Sequence, residues 1–201
     1  MAQVKKAAIR ERILDGAFRQ FRERGYAATT ISTIAAEAGV STANVYVYFP
    51  SKFRIVSELY NAWFRTRIER LRAEAEAIAD PRDRVSAVLH ALWCDIPRED
   101  NGFANCFMEA ISTLGPEDDY DAGLLRWAEA QVGAMLRGAL PGADLVAPVR
   151  IARIALMASD GFAIGRKLRP ASACDHATIA QMASLLLPEP PPSRPRTRRS
   201  L

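Results

Sequence analysis

Thr30-Ile31-Ser32-Thr33-Ile34-Ala35-Ala36-Glu37-Ala38-Gly39-Val40-Ser41-Thr42-Ala43-Asn44-Val45-Tyr46-Val47-Tyr48-Phe49 is the segment from which the architecture follows. Thr29 or Thr30 offers an N-cap hydroxyl. Ile31, Ile34, Ala35 and Ala38 then recur at three- and four-residue spacing, the apolar face of a short helix. Gly39 breaks that helix, because it tolerates the positive φ of a tight turn. Ser41 caps a second short helix, which stops at Pro50. Two short helices joined in this way cross steeply. Close crossing needs a small side chain, supplied by Ala35, while Val40 and Val45 fill the gap. Thr42, Ala43, Asn44, Tyr46 and Tyr48 are left on the outer face. They mix small, hydrogen-bonding and aromatic groups, as suits a surface that enters the major groove of DNA.

The chain on either side also reads as helix. Ile9, Ile13, Ala17 and Phe21 recur every four residues, with Leu14 and Phe18 beside them, and predict a first helix ending at Gly25. Ser51 caps a fourth helix that carries Ile55, Leu59, Ala62 and Trp63 toward Ile78. Asp80-Pro81 is a break, since proline disfavours helix in the residue before it. Val85, Val88, Leu89, Leu92 and Ile96 form the next stripe, ended by Pro97. Phe103, Phe107, Ile111 and Leu114 form another, ended by Gly115-Pro116. Leu124, Trp127, Gln131 and Met135 mark a longer helix that stops at Pro141-Gly142. Residues 145–168 and 175–187 complete the series. Strand-like alternation is absent, so the predicted fold class is all-α. Residues 1–50 form a three-helix helix-turn-helix domain and residues 51–187 a second helical domain, with 51–78 as the linking helix. The basic Pro/Arg tail, 188–201, is expected to be disordered.

The formal charge of +4 is unevenly spread. Residues 1–60 hold nine lysines and arginines against five carboxylates, net +4; residues 61–187 hold 14 against 17, net −3; residues 188–201 hold four against one, net +3. A basic N-terminal part fits a polyanionic partner. No apolar run reaches the roughly 18 residues of a membrane span, and Met1–Glu11 lacks the apolar stretch of a secretory signal. Cys94, Cys106 and Cys174 are widely spaced and odd in number, which predicts neither a disulfide framework nor a zinc site and favours a reducing, cytoplasmic compartment. His90 and His176 are the only histidines, and no His/Cys/carboxylate cluster or Gly-rich phosphate loop accompanies them. No enzyme, cofactor or metal site is expected.

Gly25-Tyr26, Thr29-Thr30, Ile34-Ala35, Ala38-Gly39-Val40-Ser41, Val45-Tyr46, Tyr48-Phe49 and Ser51-Lys52 together resemble the tetracycline-repressor (TetR) family of bacterial transcriptional regulators, from about Ile9 to Leu59. The closing Tyr-x-Tyr-Phe-Pro-Ser-Lys makes the resemblance specific. It implies an operator of double-stranded DNA. Thr30 and Ser41 would lie near phosphates at helix N-termini; Lys52 would clamp a phosphate and Tyr48 hydrogen-bond the backbone. Thr42, Ala43, Asn44 and Tyr46 would read bases, Asn44 being able to pair with adenine. Lys5, Lys6 and Arg10 form either an arm over the flanking DNA or a solvated start of the chain. The family usually has an acidic residue after Ser-Lys, where this chain has Phe53.

Beyond Pro81 only the family's general layout remains. It implies homodimerisation through the helices at about 145–168 and 175–187, and a small-molecule effector that moves the fourth helix. Trp93, Phe103, Phe107, Met108 and Trp127 are candidate cavity walls and Gln131 the candidate polar group, which favours an apolar or aromatic effector. Control by a protein partner, or by cysteine redox or metal state through convergence of Cys94 and Cys106, is the alternative.

Overall fold

The structure, a computed structural model, describes residues 2–99, 103–115, 122–140, 147–168 and 174–187. The tail 188–201 lies outside the described residues. Every regular element among those described is helical: α1 (Ala2–Ala28), α2 (Ile31–Ala38), α3 (Thr42–Tyr48), α4 (Lys52–Glu76), α5 (Pro81–His90), α6 (Ile96–Glu99), α7 (Phe103–Ser112), α8 (Gly123–Arg137), α9 (Ala147–Leu168) and α10 (His176–Leu186). Among the described residues no helix is long and apolar enough to cross a membrane.

Capping fixes most boundaries. Thr30, rather than Thr29, caps α2: its hydroxyl accepts from Thr33 N while the Thr33 hydroxyl accepts from Thr30 N, both at 3.1 Å. Thr29 is instead fully buried, its hydroxyl donating to the carbonyls of Gln20 and Gly25. Ser41 caps α3, Ser51 caps α4, and Asp80 caps α5 with Pro81 at its first position. Arg12 closes the far end of α2, donating to the carbonyls of Ala38 and Gly39.

The first helical run breaks at Gly25 as predicted, but Gly25 is not the last helical residue. The chain kinks at Gly25, with φ 77° and ψ 177°, and helical turns resume to Ala28. The close approach of the head's helices also has a second cause. A Cβ at Gly16 would lie 3.2 Å from Ala38 N, so a glycine on α1, besides Ala35 on α2, lets the two backbones meet.

Pro97 does not end its helix either. Between α5 and α6 the chain makes one π turn, Ala91–Asp95, in which Ile96 N donates to Ala91 O. The wider turn accommodates a proline that lacks an N–H and would clash with the carbonyl four residues earlier. It leaves Leu92 O without a helical donor, and the buried Ser159 hydroxyl on α9 supplies one at 2.7 Å. The helix around Trp93 is thus tied to α9 twice, because Trp93 Nε1 also donates to Ala155 O at 2.9 Å.

One apolar core runs from Ile13 and Phe21 in α1 to Ile179 and Ala183 in α10. The central helix α4 packs on α1, α7, α8 and α5, and α8 packs on α9. Gly133 allows the second pairing: a Cβ there would meet Val149 within 3.2 Å.

Gly25→Ala is expected to destabilise the fold by about 1–3 kcal/mol, the cost of a side chain in that backbone region. No atom lies nearer than 4.0 Å to the added methyl, so the loss is conformational rather than steric. Urea unfolding measures it; an unchanged midpoint would show that the kink is not required.

Candidate functional site

Two sites stand apart in the chain. The first is the outer face of α3. Val45 is fully buried against the head, and Phe49 seals its end. Thr42 and Ala43 are exposed, Asn44 and Tyr48 half-buried, and Tyr46 keeps 56% of its surface open. Val47, which the sequence reading left off this face, is 73% exposed. A β-branched residue so open on a seven-residue helix belongs to the same surface, and only its apolar character hid it. The Ser41 hydroxyl accepts from Asn44 N at 3.1 Å, so one N–H at this helix start is internally satisfied.

Lys52 departs from its expected role as a phosphate clamp. Its ammonium donates to Tyr26 O at 2.7 Å and Thr29 O at 2.8 Å, and sits 4.0 Å from the Tyr26 ring centroid. It closes the end of α1, where carbonyls lack helical partners. Burial lowers its pKa from the ordinary value. Arg10 is likewise engaged within the protein, paired with Glu58 and lying 5.1 Å from the Phe49 ring centroid. Lys6 is exposed, while the side chain of Lys5 lies outside those described.

The second site is a partly open cavity of about 260 Å³ lined by α4, α6, α7, α8 and α9. Its walls include Tyr60, Trp63 and Phe64 of α4 and Phe107, Met108 and Ile111 of α7. Of the expected lining residues, Phe107 and Met108 are here; the other four are not. Trp93 is held against α9, with its ring 5.3 Å from that of Phe162. Phe103 turns to α1, 5.5 Å from the Phe18 ring and 6.5 Å from that of Phe21. Trp127 lies beneath the Arg65 guanidinium, 4.4 Å from its ring centroid. Gln131 accepts from Arg72 at 3.1 Å in an exposed contact. The error was one of helical phase: α8 buries Leu124, Ala128, Val132 and Met135, not the stripe through Trp127 and Gln131.

Besides the Tyr60 hydroxyl and the Trp63 indole, the polar side chains lining the cavity are Ser159 and Asp160, adjacent on α9. Ser159 is committed to Leu92 O. None of the hydrogen bonds or ion pairs among the described residues reaches the Asp160 carboxylate, and burial raises its pKa to about 6. The signal in the sequence was a lone carboxylate interrupting the apolar run of α9.

The cysteines also pair differently from expectation. Cys94 neighbours Cys174, donating to its carbonyl at 3.4 Å, whereas Cys106 donates to Phe21 O. All three are buried free thiols, and burial, then Cys94, pushes the Cys174 pKa far up. Low thiolate character of this kind opposes redox reactivity. Among the described residues no three His, Cys, Asp or Glu side chains gather as a metal site.

These features define a helix-turn-helix protein whose head is joined by one long helix to a helical domain with an internal cavity. The model of bacterial regulatory proteins of the tetR family matches residues 13–59. The transcriptional regulator BetI of Rhizobium meliloti is 39% identical over 84 residues, which span 40% of this chain and 39% of that protein. A TetR transcriptional regulator from Rhodococcus sp. RHA1 shares the fold with a TM-score of 0.64 at 21% identity, over 92% of this chain and 98% of that one. A protein from Saccharomonospora viridis solved with choline is 26% identical, with a TM-score of 0.60 over 87% and 93% of the two chains. The tetR-family match is thus confined to the head and the start of the linking helix, and the chain spans about two fifths of the length of the curated relatives it matches.

Because the Asp160 pKa is higher in the folded than in the unfolded chain, its charge opposes folding. The cost grows as pH rises from the ordinary carboxylate range, 3.8, to about 6 and persists above it. Asp160→Asn is therefore expected to stabilise the protein at pH 7 by on the order of 1–3 kcal/mol, allowing for solvent reaching the half-buried carboxyl. The gain should shrink as pH falls toward 4. Urea unfolding of both proteins across this range gives the comparison; a pH-independent difference would contradict it.

Proposed function

We propose that this protein is a sequence-specific DNA-binding transcriptional regulator, a repressor that binds a near-palindromic operator as a homodimer and is released by a small molecule. The observation that carries the reading is the exposed face of α3, Thr42 to Tyr48, on a head stiffened by caps and ion pairs. Thr42, Ala43, Asn44, Tyr46 and Val47 are the base-reading candidates. Tyr48, and the helix starts at Thr30 and Ser41, are the backbone-contacting ones. Lys52 acts indirectly by holding the junction of α1 and α4.

A second surface supports dimerisation. Ile154, Met157, Gly161, Ile164 and Leu168 follow one another along one face of α9; Met157 is 66% and Leu168 75% exposed. A Cβ at Gly161 or Gly165 would meet nothing within 4 Å. Leu185 of α10 is exposed as well. An apolar helix face of this kind with small residues along it suits close packing against a second copy. Paired heads would then be set one helical turn of DNA, or a multiple, apart.

The effector reading rests on the cavity, and the choline held by the Saccharomonospora viridis relative supports it. Its walls are α4, which leads into the head, and α7, which packs on α1. The head comprises residues 1–50 and the effector and dimerisation domain residues 51–187. Cytoplasmic action follows from a DNA partner.

Asn44→Ala is expected to weaken binding to the selected operator by about 1–3 kcal/mol and to relax preference at one base pair, as loss of a bidentate contact does. Selection from random duplexes followed by titration of both proteins measures this; an unchanged preference would remove α3 as reader. Met157→Arg is expected to shift the protein to monomer in sedimentation equilibrium at micromolar concentration, with circular dichroism unaltered. A dimer that persists would exclude the α9 face.

A further inference from the structure

We propose that the cavity of about 260 Å³ selects a small organic cation, an ammonium on an aromatic or aliphatic body, with Asp160 as its counter-ion and Tyr60, Trp63, Phe64 and Phe107 as its aromatic walls. This rests on the effector reading above and names its ligand class.

Each part of the cavity contributes to the selection. A carboxylate in an apolar chamber loses hydration and requires an opposite charge or a proton in return. Asp160 has neither partner among the described residues: Ser159 beside it spends its hydroxyl on Leu92 O, and burial is the cause of its raised pKa. The ligand is therefore the group that completes the pair. Aromatic faces attract cations through their quadrupoles, most strongly where water is excluded. Tyr60 and Phe107 cover one face of each other, ring centroids 4.3 Å apart, and with Phe64 at 5.6 Å and Trp63 at 5.7 Å from Tyr60 they form one aromatic cluster along the cavity wall. Ile96, Leu124 and Leu156 supply apolar surface for the rest of the molecule. The volume falls just below the roughly 300–1,000 Å³ of ligand sites in general, which restricts the ligand to a small one. An anion would face an unpaired carboxylate, and a neutral molecule would leave that carboxylate without its partner.

Three probes of one body and different head charge test the inference: phenethylammonium, 2-phenylethanol and 3-phenylpropanoate. Each is titrated calorimetrically and by tryptophan fluorescence into the full chain and into its Asp160→Asn variant at pH 7.5. The expected order for the natural chain is cation, then neutral, then anion, the cation binding at least tenfold tighter than the alcohol. Asp160→Asn should bring the cation and the alcohol within about threefold of each other. Tyr60→Leu should weaken the cation more than the alcohol. Equal affinity of the cation and alcohol, failure of the cation to bind, or a cation preference that survives Asp160→Asn would each overturn the proposal. Operator binding of both proteins is measured in parallel. Intact operator binding without cation preference rejects the ligand class and leaves the regulator standing. Cation preference without any selected duplex upholds the ligand class and rejects the regulator.

Discussion

Where α1 ends, the Tyr26 carbonyl accepts a long bond from Thr29 N at 3.3 Å, and the ammonium of Lys52 donates to the carbonyls of both Tyr26 and Thr29. The contact spans more than twenty residues of sequence and joins the last turn of α1 to the first residue of α4. It is a charge-assisted bond on two acceptors, stronger than a neutral one. Much else depends on it. The kink at Gly25 brings those carbonyls to the lysine, Arg10 bonded to Glu58 holds α1 to α4 from the other side, and Phe49 lies under Arg10 at the end of α3. Helix α3 is thereby oriented by α4 through side chains engaged within the protein.

The same helix supplies a wall of the cavity about two to three turns later. Tyr60 stacks on Phe107, and Phe107 lies 6.4 Å from Phe53, the residue next to Lys52. Phe103, one turn before Phe107, packs on Phe18 and Phe21 of α1. The position at which the family usually carries an acid is thus an aromatic contact between the start of α4 and α7. A chain of packed rings has few intermediate arrangements, because interiors are dense and side chains stay near rotamer minima. Displacement of Tyr60 or Phe107 would therefore press on Phe53 at the start of α4. Allosteric coupling is typically about 1–3 kcal/mol, which asks for a modest difference in fit between two such arrangements.

The head was the legible part of the sequence because its constraints are local. A capping hydroxyl, a glycine turn and a stop at Pro50 act within a few residues, and Thr30, Gly39, Ser41 and Ser51 serve as their residue types indicate. What escaped were features decided by partners far along the chain. Lys52 reads as a surface cation until two carbonyls of α1 are brought beside it. Pro97 reads as a helix end, since a π turn and a hydroxyl on α9 that tolerate it leave no pattern in the sequence. In α8, large residues at one phase outweighed Ala128 and Val132, which bury because α4 and α9 converge there. Gly16 and Gly133 look neutral until a neighbouring backbone lies where their Cβ would be. Asp160 carried a signal, a charge within an apolar helix, but only the cavity gives that charge a direction.

Helix α9 turns Ser159, Asp160 and Ala163 to the cavity and Met157, Gly161 and Ile164 to the outside. The two sets alternate over barely two turns, so the helix has no neutral side on which it can slide or rotate. Its inner face is further pinned by Ser159 and by the carbonyl of Ala155. The shape of the cavity can therefore change by exchanging side chains on a fixed rod, but not by moving the rod.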